Sequence, residues 1–176
     1  GLIPESNILI LANDTLDFYD VTSDPTNPRL LNSYSDPDPN KITLSSILLS
    51  KDYKTLYATG WMTQFNNKVI LRKILIQDIL KPEFSELYDL EISRTKSAPN
   101  ILAISPNETN IFVLLTKQNT RMRAPLEFAD VIGYDLIKKQ IMESPDGLFP
   151  DTRPFVMLPN SQDIIISGSS EVFQIT

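Results

Sequence analysis

The chain has no cysteine and no histidine among its 176 residues. The first absence excludes disulfides, iron–sulfur clusters, thiolate zinc sites and cysteine nucleophiles. It leaves the compartment open, because exported bacterial proteins often lack cysteine. The second absence removes the commonest general base and the commonest transition-metal ligand. That weighs against hydrolases and metalloenzymes. Glycine is scarce, with five residues against thirteen prolines. Proline stops helices and sits between strands, so this balance favours many short elements joined by stiff connections. Long apolar runs are missing too: the longest, such as Ile8 to Ala12, are strand-sized and far short of a membrane span. Excess positive charge is also lacking. The net charge of −6 argues against a nucleic-acid partner, which needs a basic surface. The chain opens on Gly1 with no signal-peptide pattern, which reads as a processed or partial piece of a longer protein.

What remains is ordinary for a globular domain. The chain is 41% hydrophobic and 22% charged, too apolar for disorder and long enough for a sizeable core. Its most informative feature is internal repetition. Ile47 to Ala58, Leu102 to Val113 and Val156 to Ile166 each read as an apolar strand, a polar turn and a second apolar strand. The spacing of about 54 residues suits propeller blades with long loops. Asp, Asn, Ser and Pro in the turns hydrogen-bond locally or preset tight reversals, and the flanking Ile, Leu, Val, Phe and Tyr runs suit a hairpin. The opening stretch Pro4 to Ala12 resembles the back half of the same unit.

A third strand follows, ending in an acidic residue and an aliphatic one: Phe18-Tyr19-Asp20-Val21, Ile76-Gln77-Asp78-Ile79 and Gly133-Tyr134-Asp135-Leu136. The last copy, Val172-Phe173-Gln174-Ile175, lacks the acid. A fourth strand is expected at Arg29 to Tyr34, Phe84 to Leu90 and Lys139 to Glu143. With strands of a unit lettered a to d, the chain holds b, c and d of one unit, two complete units, then a, b and c of another. A helical alternative exists over 67–80, where charges alternate with Ile and Leu. The sequence therefore predicts an all-β fold: a β-propeller segment of roughly three and a half four-stranded antiparallel blades. The blade parts are 1–36, 37–92, 93–146 and 147–176.

Tyr19-Asp20-Val21-Thr22-Ser23-Asp24-Pro25-Thr26-Asn27-Pro28-Arg29-Leu30-Leu31 resembles the LVIVD repeat, in which an aspartate ends a strand and Val-Ser-Asp-Pro-x-x-Pro leads to the next. Ile104-Ser105-Pro106-Asn107 with Ile111-Phe112-Val113 is similar to the YVTN-type propeller repeat, whose turn is Ser-Pro-Asp-Gly. Later copies depart: Ile79-Leu80-Lys81-Pro82 keeps one proline, Leu136-Ile137-Lys138-Lys139 keeps none, and glycine is missing from every a–b turn. The resemblance implies a binding protein of the cell surface, the periplasm or the extracellular space. Lactonase-like and quinoprotein propellers are enzymes, but none of their catalytic residues has a counterpart in this chain.

In an up-and-down blade the b–c and d–a connections share one edge, and a–b and c–d share the other. Long, dissimilar connections are expected at the first edge: 60–67, 117–130, 35–41, 93–100 and 144–151. Irregular loops on a rigid scaffold are where binding concentrates. Trp61, Met62 and Phe65 there form either a partner hot spot or a cap on the blade edge. Arg94, Lys96, Lys117, Arg121 and Arg123 form either an anion-binding patch suited to carboxylate or phosphate, or a solvated rim paired with Glu127 and Asp130. Asp36-Pro37-Asp38-Pro39-Asn40 invites a calcium reading, but Lys41 and Ile47 stand where an EF-hand needs glycine and glutamate; only a looser site survives. The sequons at Asn13 and Asn107 do not establish secretion.

No catalytic residue, metal or cofactor is assigned. The leading expectation is a non-enzymatic interaction or ligand-binding module of a larger propeller. Its partner would be another protein or the remaining blades. A fragment of a propeller enzyme and a structural subunit of a large assembly are the alternatives. Incomplete first and last sheets would expose strand edges, so further sequence or a docked chain is expected there.

Overall fold

The computed structural model describes residues 1–62, 68–78, 81–93, 99–105, 107–118, 127–141, 155–157, 164–167 and 172–175. Among the described residues the fold is all-β apart from one 3-10 turn, Pro4–Ser6. Its strands form three four-stranded sheets and one three-stranded sheet, all antiparallel, and in each the strand order follows the chain. Consecutive meanders of this kind are the construction of propeller blades. The first sheet is β1 (Leu2–Ile3), β2 (Ile8–Ala12), β3 (Leu16–Asp20) and β4 (Arg29–Tyr34). The second is β5 (Ile42–Leu49), β6 (Thr55–Met62), β7 (Lys68–Leu75) and β8 (Glu83–Ser93). The third is β9 (Asn100–Ile104), β10 (Asn110–Gln118), β11 (Glu127–Asp135) and β12 (Gln140–Ile141). The fourth is β13 (Phe155–Met157), β14 (Ile164–Ser167) and β15 (Val172–Ile175).

Two expectations change. The first sheet is not limited to strands b, c and d, because Leu2 and Ile3 pair with Leu9 and Ile8 as a short strand a. The helical alternative over 67–80 fails: Lys68–Leu75 is the third strand of the second sheet, hydrogen-bonded on both sides. Its apolar residues bury on both faces, which blurs the period-two signal that would have separated strand from helix.

The chain divides into two compact units, 1–93 and 94–176. In the first unit the two sheets stack. Ile3, Ile8, Ile10, Leu16 and Phe18 of the first sheet form one buried cluster with Ile42, Leu44, Leu56, Ala58, Ile70 and Ile74 of the second. The tight b–c turn of the first sheet fastens this contact: Leu44 N–H donates to the Asn13 carbonyl across 3.0 Å. Thr43 Oγ1 donates to Asp14 at 3.2 Å. Opposite Leu44, Gly60 lets β5 and β6 close up, since a Cβ there would lie 2.1 Å from the Thr43 carbonyl oxygen. In the second unit Ile111, Val113 and Leu115 of β10 are fully buried.

The a–b turns of the second and third sheets repeat almost atom for atom. Ser50 Oγ donates to Asp52 (2.7 Å) and accepts from Thr55 N–H (2.9 Å), while Tyr53 turns left-handed at φ 58°. In the third sheet Ser105 Oγ donates to Asn107 (2.7 Å) and accepts from Asn110 N–H (3.0 Å), with Glu108 at φ 55°. Both serines are buried. The first sheet replaces this turn by Pro4–Ser6 and a left-handed Asn7. Glycine is absent from these turns, yet the backbone keeps the left-handed residue glycine would favour.

The same geometry corrects the third-strand alignment. Val21, Ile76 and Leu136 each donate their N–H to the residue before strand b: Asn7, Lys54 and Thr109. Leu75, not Asp78, is therefore the counterpart of Asp20 and Asp135. Those two aspartates cap the following turn. Asp20 accepts from Thr22 N–H at 2.8 Å, and Asp135 accepts from Ile137 and Lys138 N–H at 2.9 and 2.8 Å. These hydrogen bonds hold both carboxyls below the usual aspartate range. The terminal acid is thus a turn cap.

Candidate functional site at the b–c and d–a edge

The edge singled out by the sequence is narrower than expected. Strand β6 runs to Met62 and β7 starts at Lys68, so the connection is 63–67 rather than 60–67. Strand β10 runs to Gln118 and β11 starts at Glu127, which leaves 119–126. Length does not separate the two edges either. The c–d connections 21–28 and 76–82 are as long as the d–a connection 35–41, and the b–c turn 13–15 is short.

Trp61 and Met62 lie in strand β6, not in a loop. Trp61 pairs with Thr43 and Val69, and Met62 with Ile42 and Lys68. Being adjacent, they point to opposite faces of the sheet. Both are half-buried, and Met62 packs against the core cluster. They do not project together as one patch. Phe65, Arg94, Lys96, Arg121 and Arg123 lie outside the described residues, and so does the Lys117 side chain.

The d–a connection 35–41 holds what sequence reasoning missed. Asp36, part of the calcium-like stretch, turns inward and meets Arg72 of β7, with side chains 1% and 8% exposed. Arg72 Nη2 donates to Asp36 Oδ1 at 3.2 Å. Arg72 Nε lies 3.0 Å from Asp36 Oδ2, but off the line of a hydrogen bond. The guanidinium also stands 5.7 Å from the Phe84 ring centroid, within cation–π range. Asp38 N–H donates to Asp36, and Asn40 N–H to Asp38, both at 2.9 Å. Burial pushes the Asp36 carboxyl up, against the pull of the Asp38 amide and of Arg72.

Asp36 spends its charge on Arg72, and Asp38 is folded into the next turn. Among the described residues no group of three or more acidic side chains is placed to hold a metal ion. The pair instead pins the connection to the central strands, fixing its backbone from beneath. An acid and an arginine 36 positions apart carry no local signal; only the alternate acids of 36–40 were visible, and they suggested a different chemistry.

No family model matches the chain, and no curated protein matches it in sequence. Among solved structures it is similar to the periplasmic gluconolactonase PpgL of Pseudomonas aeruginosa, with a TM-score of 0.46 and 15% identity over 83% of this chain. The chain spans 40% of that protein's length. At this depth of similarity no activity passes from one protein to the other. No helix among the described residues is long and apolar enough to cross a membrane.

Proposed function

We propose that this chain is a non-enzymatic interaction module, part of a larger β-propeller, that recognises its partner through the b–c and d–a edge. One observation supports this reading above others. At the opposite edge the a–b turns of the second and third sheets share the same serine-centred hydrogen bonds. Their polar groups are consumed by the turn itself. The b–c and d–a connections repeat in neither length nor composition. Architecture that recurs is scaffold, while unlike connections on a rigid frame are where recognition is built. The Asp36–Arg72 pair supports the same reading, because a connection anchored from below loses little freedom on binding.

The LVIVD-like stretch 19–31 and the YVTN-like stretch 104–113 favour a cell-surface, periplasmic or extracellular setting. Within this reading Trp61, Met62, Phe65, Arg94, Lys96, Arg121 and Arg123 are the candidate contact residues. Hydroxyl-radical footprinting of the protein in its source fraction, against the purified protein, tests the proposal. Protection is expected on 35–41, 63–67 and 94–98. Protection confined to 50–54 and 105–109 would overturn it. So would aldonolactone hydrolysis that copurifies with the chain and follows its concentration, which would favour the propeller-enzyme alternative.

A further inference from the structure

The first sheet has two apolar faces, and only one is used. Ile8, Ile10, Leu16 and Phe18 bury against the second sheet. On the other face Leu2, Leu9, Tyr19 and Leu30 stand in one row across all four strands, each in register with the next. Leu11 lies beside them. Leu2, Leu11 and Leu30 are 50%, 48% and 52% exposed, and Leu9 and Tyr19 are half-buried. Scattered exposed leucines need no explanation, but a continuous row does.

The repeat shows what this row is for. The equivalent bonds from Val21 to Asn7 and from Ile76 to Lys54 align Ile8 with Thr55 and Asp20 with Leu75. Leu9 then corresponds to Leu56 and Tyr19 to Ile74. Their partners across the sheet correspond too: Leu2 to Leu49, and Leu30 to Phe84. In the second sheet the row Leu49, Leu56, Ile74 and Phe84 is the surface that packs onto the first sheet. Leu11 likewise corresponds to Ala58, which is fully buried in that contact. The open row of the first sheet is the same interface, one repeat earlier, without its neighbour.

We infer that the face bearing Leu2, Leu9, Leu11, Tyr19 and Leu30 docks a further four-stranded sheet of this repeat, lying in the same polypeptide outside residues 1–176. The docked sheet presents an aliphatic and aromatic face like that of Ile8, Ile10, Leu16 and Phe18. A second copy of this chain is the poorer fit. The first sheet's complementary face is already buried in each copy, and self-docking would bring the row's neighbour Asp17 towards its own equivalent. The inference rests on the part of the functional reading that makes the chain a segment of a larger propeller. It is independent of which edge binds a partner.

The test exploits the absence of cysteine, which makes any introduced thiol unique. In the protein as its source produces it, Leu11→Cys and Leu30→Cys are labelled with a maleimide and compared with Ile137→Cys, where the native residue is 74% exposed. Labelling at positions 11 and 30 is expected to be slower by about tenfold or more, since a packed sheet interface excludes the reagent as a protein interior does. A thiol-to-amine cross-linker at position 30, followed by peptide mapping, is expected to join it to a repeat segment of the same polypeptide outside residues 1–176; a link to 94–176 overturns the inference. Labelling at the control rate overturns the inference, as do cross-links to a second copy or to an unrelated protein. Radical oxidation of Tyr19 in the wild-type protein gives the same readout without substitution: protection supports the docked sheet and full oxidation opposes it. Footprints on 35–41 and 63–67, scored separately, report on the recognition edge and can fail independently.

Discussion

Arg72 and Asp36 form one buried pair, so losing either partner should be costly, while losing both together should be better tolerated. Arg72→Met keeps the length and apolar stem of the side chain but leaves the Asp36 carboxylate buried without a counter-charge. Breaking a buried pair in this way costs about 3–5 kcal/mol, and loss of the Phe84 contact falls within that range. Asp36→Asn preserves the acceptor for Asp38 N–H and removes only the charge. It also leaves the Arg72 guanidinium, only 8% exposed, without a counter-charge, so this change too should cost about 3 kcal/mol. The double variant should recover most of the loss seen in Arg72→Met, because no unpaired buried carboxylate remains. The sign of the pH dependence follows from the raised Asp36 titration. A carboxyl raised on folding contributes stability at low pH that is lost as pH rises through its folded value. The deficit of Arg72→Met should therefore shrink as pH falls, since a protonated Asp36 needs no partner. Denaturant unfolding can be followed through Trp61, the chain's single tryptophan, which lies in the same sheet as Arg72. A double variant no more stable than Arg72→Met, or an Arg72→Met deficit that is flat with pH, would refute the reasoning.

Three further expectations concern the scaffold. Gly60→Ala should destabilise the first unit by about 1–3 kcal/mol or more, because its Cβ would meet the Thr43 backbone rather than a movable side chain; the same unfolding assay reads this. Tyr53→Gly should stabilise by about 0.5–1 kcal/mol, since relief of a left-handed backbone outweighs the added freedom of glycine in the unfolded chain; a lower midpoint would show that the Tyr53 side chain matters more than its backbone. Asp20, Asp24, Asp52 and Asp135 are all held below the ordinary aspartate value of 3.8, chiefly by hydrogen bonds within their turns. Their stabilisation is present above that value and is lost as pH falls through the lowered ones, so circular dichroism should show acid unfolding that begins below about pH 4, and Asp20→Asn and Asp135→Asn should flatten it.

Much of this architecture was legible in the order of residues, because its causes are local. Ser50 to Thr55 and Ser105 to Asn110 make their turns from groups a few positions apart, so polar clusters between apolar runs announced the hairpins. Arg29–Tyr34 needed only its own composition to be recognised as a strand. Alignment between repeats was harder. The second copy carries an acid in Ile76-Gln77-Asp78-Ile79 just past the strand end, and only the bond from Ile76 to Lys54 shows that Leu75 holds the equivalent place. The expected loop 60–67 takes in Trp61 and Met62, whereas both continue β6 past Gly60, which marks a close approach between β5 and β6.

By itself the sequence determined the all-β character, the repeat and the exclusion of thiol and imidazole chemistry, since composition and short-range hydrogen bonding suffice for each. Only the tertiary structure decided that Asp36 belongs to Arg72, that Leu49, Leu56, Ile74 and Phe84 form a packing face, and that the matching row in the first sheet stands open. Those facts join residues tens of positions apart through registers and burial, and neither quantity is set by any residue's immediate neighbours.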